Sequence, residues 1–167
     1  MLKKLVVLLF CALPMFAMAQ DKLAHVNSQE VMMAMPELAE IHRTLDALQS
    51  EWESVLMSMQ EELFSKFREF QERQATMPES IREVRQSELS ELEQRIVTFR
   101  QQAGNDLQQK QQELVSPVIE RVRRAIEQVG TENNFLYIFD LAVESVVFHS
   151  PTAIDATPLV KTKLGIR

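Results

Sequence analysis

Three histidines are the side chains of this sequence best suited to acid–base or metal chemistry near neutral pH, His25, His42 and His149. His42 and Asp46 are four residues apart, so on a helix they would share one face and could bind one metal ion. A structural zinc site needs four ligands, so a solvated helix face is the simpler interpretation of this pair. His25 and His149 lie in candidate strands, either as neighbours across a sheet or as separate residues at the edge of the core.

Carboxylates are numerous, but their placement does not favour catalysis. Glycoside hydrolysis needs two carboxylates across a cleft, one with a raised pKa, whereas Glu61, Glu62, Glu91 and Glu93 lie in segments patterned as exposed helix. Acids there solubilise a helix and pair with bases four positions later, as in Glu62–Lys66, Glu69–Arg73 and Glu91–Arg95. With no Gly-rich phosphate loop and no nucleophile elbow in the sequence, we expect no enzyme, metal or cofactor. An enzyme using His42 and Asp46 is the remote alternative.

Two long helices must position most of these residues. From Pro36 to about Val129 the pattern is amphipathic, with one clear break at Met77-Pro78-Glu79-Ser80. The first helix has a heptad seam, typical of a helix that pairs with another helix. The seam residues are Leu38, Ile41, Leu45, Leu48, Trp52, Val55 and Met59. The seam continues as Leu63, Phe67 and Phe70, where four-residue steps predict a stutter that relaxes the supercoil.

Leu56, Met57 and Phe64 fall off this seam. They either widen the seam into a broader core stripe or form an exposed, adaptable surface. Methionine suits the second role because its flexible thioether fits many shapes. These three residues are the candidates for binding extended apolar segments of another protein.

The returning helix is predicted to start at a capping box, Ser80–Glu83, and to end at Gly130. Gly104 and Pro117 predict a hinge zone, because glycine costs a helix about 1 kcal/mol and proline removes one hydrogen bond. The apolar residues of this helix are Ile81, Val84, Leu89, Leu92, Ile96, Phe99, Ala103, Leu107, Leu114, Val118, Val122, Ile126 and Val129.

Short elements flank the helical pair. We predict strands over Lys22–Asn27, Phe135–Phe139 and Ser145–His149, a capped helix over about Ser28–Met35, and a last helix over Pro158–Leu164. The predicted class is therefore α+β, with a body of residues 20–36 and 115–167 and a helical hairpin of residues 37–114 whose tip lies near 76–80. Three short strands cannot bury enough apolar surface alone, so we expect several chains to share one sheet or barrel.

The first residues have the pattern of a secretory signal peptide. Lys3 and Lys4 precede an apolar core, and Ala17-Met18-Ala19 predicts cleavage before Gln20. The apolar run is too short to span a bilayer, and Cys11 lies inside it without a small residue before it, which disfavours lipidation. Removing Lys3 and Lys4 leaves 16 basic and 24 acidic residues, hence a net charge of −8. That charge disfavours nucleic acid as a partner.

The order of these segments resembles the Skp/OmpH family of periplasmic chaperones. Leu23-Ala-His-Val-Asn27-Ser28 is similar to the family's first strand. The segments Phe135–Asp140, Ser145–Ser150 and Asp155–Val160 are similar to its closing strands, turn and helix. The resemblance implies a homotrimer whose strands form a small shared β-barrel body, with Val26, Tyr137, Phe139, Val147 and Phe148 building the trimer. It also implies protruding helical hairpins that enclose a cavity for unfolded outer-membrane proteins, without ATP.

One departure and one alternative accompany this resemblance. Family members are often strongly basic, whereas this chain is acidic and mixes arginine with glutamate at its predicted tip, which puts lipopolysaccharide binding and electrostatic capture in doubt. The alternative function is a structural coiled-coil spacer or adaptor of the cell envelope that binds one folded partner. A spacer is expected to have a continuous seam, whereas a stutter, off-seam apolar residues and a hinge zone favour the chaperone.

Overall fold

A computed structural model of the chain describes residues 22–166. The predicted signal peptide, residues 1–19, and its cleavage point lie outside this part of the chain. The described residues form two compact units, which we call the body unit, residues 22–31 with 124–166, and the arm unit, residues 32–123. The boundaries between body and hairpin that the sequence suggested, after residues 36 and 114, stay predictions.

The arm unit contains helix α2, Pro36–Arg73, and most of helix α3, Glu79–Glu132. Pro36 begins α2, where its missing N–H is no loss and its fixed φ suits the first turn. The 38 residues of α2 are about 57 Å long at the usual helical rise. Residues 74–78 form the turn between the helices, which overlaps the predicted tip near 76–80.

The two helices run antiparallel, because residues at opposite ends of their sequences meet. Glu37 at the start of α2 forms an ion pair with Arg121 late in α3. Trp52 of α2 shares a groove with Phe99 and Ala103 in the middle of α3. The fully or nearly buried side chains of this packing are Ile41, Phe70, Leu92, Ile96, Val118 and Val122.

The observed seam of α2 differs from the predicted one in its middle. Val55 and Phe67 are 42% and 44% exposed, whereas Leu56 is half-buried in the groove against α3. The seam therefore steps by four residues twice between Leu48, Trp52 and Leu56, so the stutter lies earlier than predicted. On α3, Ile81 and Val84 belong to the apolar pattern of the sequence and are exposed.

Helix α3 continues through Gly104 and Pro117 without a break. That the helix bends more easily between Gly104 and Pro117 therefore stays a prediction. The predicted capping box at Ser80 is wrong, because α3 begins one residue earlier at Glu79, and the Pro78 carbonyl accepts hydrogen bonds from the N–H groups of Ile81 and Arg82. The predicted end at Gly130 is also wrong, since α3 runs to Glu132 and Asn134 takes the left-handed backbone conformation, φ 55°, just after it.

The body unit contains a three-stranded parallel sheet in the order β2-β1-β3. The strands are β1, Lys22–Val26, β2, Phe135–Asp140, and β3, Ile154–Asp155. The first two predicted strands are confirmed. The prediction of a strand over Ser145–His149 is wrong, because residues 146–150 have no regular structure and Ile154–Asp155 pairs with β1 in their place.

Alternation along β1 separates a buried face from a more open one. Ala24 and Val26 are 3% and 1% exposed, whereas Leu23 on the opposite face is half-exposed. Helix α4, Thr157–Lys163, and the last turns of α3 supply further buried residues of this unit, namely Ala125, Val129, Ala156, Thr157 and Val160. Gly130 faces Ile138 of β2, and a Cβ added there would meet the Ile138 side chain at 3.4 Å, an ordinary van der Waals distance.

Side-chain hydrogen bonds hold the ends of the strands together. Asp140, the last residue of β2, accepts hydrogen bonds from the Ser28 N–H at 3.1 Å and the Ser28 hydroxyl at 2.5 Å. Ser28 begins helix α1, Ser28–Met33, whose predicted cap is confirmed, because the Asn27 side-chain oxygen accepts from the Glu30 N–H at 3.0 Å. The Asn27 N–H in turn donates to the Thr157 hydroxyl at 3.0 Å.

Candidate apolar binding surfaces

Helix α2 carries a stripe that joins two of the three predicted binding residues. Met57 and Phe64 are seven residues apart, on one helical face, and are 61% and 65% exposed. Gln60, Glu61 and Arg68 complete the shallow groove on this face. The Arg68 guanidinium lies over the Phe64 ring at 5.3 Å from its centroid, a cation–π contact that leaves the other face of the ring available.

Leu56, the third predicted residue, is separated from this stripe. It is half-buried in the groove between α2 and α3, beside Trp52, Phe99 and Leu107. Its position fits the core-stripe interpretation, whereas Met57 and Phe64 fit the exposed-surface interpretation.

Further apolar side chains are exposed along both helices of the arm unit. Those not predicted to be exposed are Val55, Phe67, Ile81, Val84, Val97 and Ile119. Sequence periodicity assigned most of them to the seam or left them out, because a heptad pattern does not show where a stutter turns a residue outward. The arm unit therefore offers many separate apolar contacts rather than one deep pocket.

The charges near the tip are largely compensated within single helices. Arg73 pairs with Glu69 at 3.1 Å, Arg85 pairs with Glu88 at 2.7 Å, and Arg82 forms an ion pair with Glu79. Exposed pairs of this kind contribute little to stability. They also reduce the positive potential that a tip needs to attract acidic chains.

Glu37, at the opposite end of the arm unit, is held in its charged form. A hydrogen bond from its own backbone N–H lowers the pKa of Glu37, burial of the carboxylate opposes this, and the Arg121 guanidinium lowers the pKa further. The ion pair thus joins the start of α2 to α3 at ordinary pH.

The body unit has its own exposed apolar surface, which contains four of the five predicted trimer residues. Tyr137 and Phe139 are 60% and 46% exposed on β2, with their rings stacked at 5.9 Å. Val147 and Phe148 are 97% and 81% exposed. Val26 differs from these four, because it is almost completely buried in its own chain.

Residues 145–149, which we call the apolar segment, line a cavity of about 610 Å³ on the open face of the sheet. Leu23, His25 and Phe139 form the sheet side of this cavity. The rings of His25 and His149 are 4.6 Å apart, so the two histidines are neighbours, although His149 does not lie in a strand as the sequence predicted. Asp155 lies beside them, with its Oδ1 atom 3.9 Å from the Nε2 atom of His25.

The Asp155 carboxylate is oriented and charged. Partial burial acts to raise the pKa of Asp155, but hydrogen bonds from the Thr157 side chain and N–H, together with the nearby His25 and His149, lower it below the ordinary aspartate value. The Thr157 N–H donates to Oδ1 at 2.9 Å.

The part of the chain that the structure describes, residues 22–166, contains neither a metal-binding group nor a membrane-spanning helix. Within them, no group of three or more histidine, cysteine, aspartate or glutamate side chains is arranged to hold a metal ion. His42 is exposed on α2 and belongs to no such group. No helix in the same range is both long and apolar enough to cross a membrane.

Comparison with known proteins gives one family. A family model described as "Outer membrane protein (OmpH-like)" matches residues 22–164, which is most of the chain. The match begins at β1 and ends just after α4, so it includes both units. No curated protein matches the chain.

Proposed function

Because this chain belongs to the OmpH-like family, whose members are periplasmic chaperones of outer-membrane proteins, we propose that it is an ATP-independent periplasmic holdase. It binds unfolded outer-membrane proteins and prevents their aggregation. The carrying observation is the stripe of Met57 and Phe64, two large apolar side chains left more than half exposed on a well-formed helix. Large apolar groups exposed together mark a surface that binds another apolar surface.

The proposed mechanism is capture by many weak contacts. Each exposed apolar residue of the arm unit covers a little of the client, and contacts on linked helices reinforce one another through high effective concentration. Methionine and phenylalanine accept varied partners, so the surface needs no client sequence. Because the arginines near the tip are paired with glutamates, apolar contact contributes more than charge to this capture.

We further propose that the working form is a homotrimer whose helical hairpins enclose the client. Support comes from Val147 and Phe148, which are almost fully exposed in the single chain and sit on a segment with no regular structure. Such residues are costly to leave in water, at about 1.5–3 kcal/mol each. A second and a third copy of the chain would cover them, with Tyr137 and Phe139 contributing beside them.

The test mixes the mature chain with a urea-unfolded outer-membrane β-barrel protein on dilution, and follows turbidity and light-scattering mass. We expect a soluble complex of a chain trimer with the client. Replacing both Met57 and Phe64 with serine should raise the chain concentration needed for half suppression of aggregation at least about tenfold, the effect of about 1.4 kcal/mol of lost contact.

The matched control replaces Ser58 and Ser65 with alanine, which changes two exposed positions at the same seven-residue spacing without removing an apolar side chain. This variant should suppress aggregation as well as the unmodified chain. A chain that leaves the client to precipitate at every ratio would refute the holdase and favour the spacer or adaptor.

A further inference from the structure

The apolar segment is attached to the sheet at a pair of titratable rings. Its residues 146–150 join no strand, yet His149 at its end lies 4.6 Å from His25 of the central strand, centroid to centroid. Histidine is the side chain that ordinarily changes charge between about pH 5 and 8. A contact between two histidines therefore differs in strength according to the number of protons that the pair carries.

The surroundings of the pair provide for one positive charge. Asp155 on β3 is the charged group that faces the pair, 3.9 Å from the Nε2 atom of His25. On the other side of β1, His25 is in register with Phe139, which is uncharged. The remaining residues that line the cavity are also uncharged: Leu23, Ala24, Ser145, Val146, Val147, Phe148 and Ala153.

A second proton is opposed by two independent features. Two imidazolium rings at this separation repel each other, and one carboxylate compensates only one of them. In addition, the Nδ1 atom of His25 is buried and has no hydrogen-bond partner. When His25 is positively charged, both of its ring nitrogens are donors. Its buried Nδ1–H group would then have no acceptor, which is costly.

We propose that His25, His149 and Asp155 form a proton-sensitive clasp, which holds the apolar segment against the sheet with at most one proton and releases it when both rings are protonated. The clasp positions Val147 and Phe148, so acidification weakens self-association. This consequence rests on the trimer proposed above, whereas the clasp itself is a property of the body unit alone.

The direction follows from proton counting. In the released state both rings are solvated, whereas in the closed state a second positive charge would lie 4.6 Å from the first, with one carboxylate beside the pair. The released state thus binds more protons and is favoured as the pH falls. Above the range in which imidazole titrates, the closed state is favoured because the two uncharged rings are in contact, with their planes tilted by 31°.

The experiment is a nuclear magnetic resonance titration of the three histidines in the mature chain between about pH 8 and pH 5. His42, exposed on the arm unit, is the internal reference. We expect His25 and His149 to titrate in two coupled steps at least about one pH unit apart. The Overhauser contact between their rings should disappear with the second step.

The variants separate the clasp from general acid effects. His149→Gln changes an exposed residue, so folding should be retained, and it should turn the His25 titration into a single step. Light scattering should show the self-association constant of the unmodified chain fall at least about tenfold between about pH 7.5 and pH 5, and this change should be absent in His149→Gln. His42→Gln should behave as the unmodified chain does.

Independent single-step titration of His25 and His149, with the ring contact retained at the acidic end, would overturn the clasp. That result leaves client capture near neutral pH untouched, so it does not bear on the holdase. Conversely, a chain that is monomeric at every pH would contradict the trimer, while the ring titration would still decide whether the clasp exists.

Discussion

The body unit and the arm unit bury their apolar residues in different ways. In the arm unit the buried side chains follow one another along two helices, at Ile41 and Phe70 on α2 and at Leu92 and Ile96 on α3. In the body unit they come from distant parts of the chain, such as Val26 and Val160. The arm is therefore an element that local sequence can specify, whereas the body depends on contacts between segments far apart.

The two units also differ in what they leave exposed. The apolar residues exposed on the arm are carried by helices whose backbone hydrogen bonds are internal and whose buried seam is filled by the other helix of the pair, so the pair can form without covering these exposed residues. The exposed residues Val147 and Phe148 of the body lie on a segment without helix or strand. The body is for that reason the unit expected to be completed by other copies, and the arm the unit expected to meet clients.

The largest expected effect tests whether the exposed residues of the body unit form the interface between copies. Replacing both Val147 and Phe148 with serine should leave the fold of the single chain intact, because both are exposed in it. If they are buried between copies, their loss should weaken self-association by about 3–6 kcal/mol per subunit. Sedimentation velocity over a concentration series measures this change, and an unchanged mass would show that the apolar segment is not the interface.

The next effect concerns the arm seam. Leu92 is 1% exposed, so Leu92→Ala should lower the free energy of unfolding by about 2–5 kcal/mol through lost contacts and a residual cavity. Val97 on the same helix is 60% exposed, and Val97→Ala should change that free energy by at most about 0.5 kcal/mol. Urea unfolding at one fixed protein concentration measures both, and equal effects would contradict the seam described here.

Sequence reasoning predicted the arm well because helices obey a local period. The ends of α2, the tip and the capping of α1 by Asn27 all follow from residues a few positions apart. The exact seam did not follow, since Val55 and Leu56 are equally good helix-seam residues by type, and only packing against α3 places Leu56 inside. Met57 and Phe64 were placed off the seam by their spacing, and both are exposed.

The body was predicted less completely. Ser145-Val-Val-Phe-His149 has strong β propensity, but in the single chain its place beside β1 is taken by Ile154–Asp155. Strand pairing is decided by distant partners, which propensity does not contain. The sequence left open whether His25 and His149 are neighbours across a sheet or separate strand residues, and their contact arises between β1 and an irregular segment.

A smaller effect tests the hydrogen bonds that close the body. Partial burial acts to raise the pKa of Asp140, but hydrogen bonds from the Ser28 hydroxyl and from the N–H groups of Ala142 and Ser28 lower it below the ordinary value. The charged carboxylate thus stabilises the folded state above about pH 4, the ordinary aspartate range, and this stabilisation is lost as the pH falls through the lower folded-state pKa.

Asp140→Asn should accordingly lower the free energy of unfolding near neutral pH by about 1–3 kcal/mol. The difference between the variant and the unmodified chain should shrink as the pH falls below about 4, and should vanish below the lowered folded-state pKa of Asp140, where both carry a neutral side chain. Asp106→Asn, at an exposed position of α3, is the matched control and should have little effect. Thermal unfolding across this pH range would contradict the assignment if the two variants behaved alike.

The smallest expected effect concerns the stability of helix α3 at Gly104. A Cβ added at Gly104 would meet no atom within 4 Å, so Gly104→Ala introduces no clash. It should raise the free energy of unfolding by about 1 kcal/mol, because alanine loses less backbone entropy than glycine on forming a helix. Ala103→Gly, one residue earlier on α3, is the reverse control and should lower it by about 1 kcal/mol or more, because it also removes a methyl group from the groove with Trp52.

The Gly104 substitution also tests whether the continuous helix α3 bends at this position during function. The glycine lines the same groove as Leu56, between the two helices of the arm. If bending there adapts the arm to its clients, Gly104→Ala should stabilise the protein and yet weaken client capture, so stability and activity would move in opposite directions. If capture is unchanged while stability rises, the glycine is not needed for mobility, and capture depends on the exposed side chains of a stiff arm.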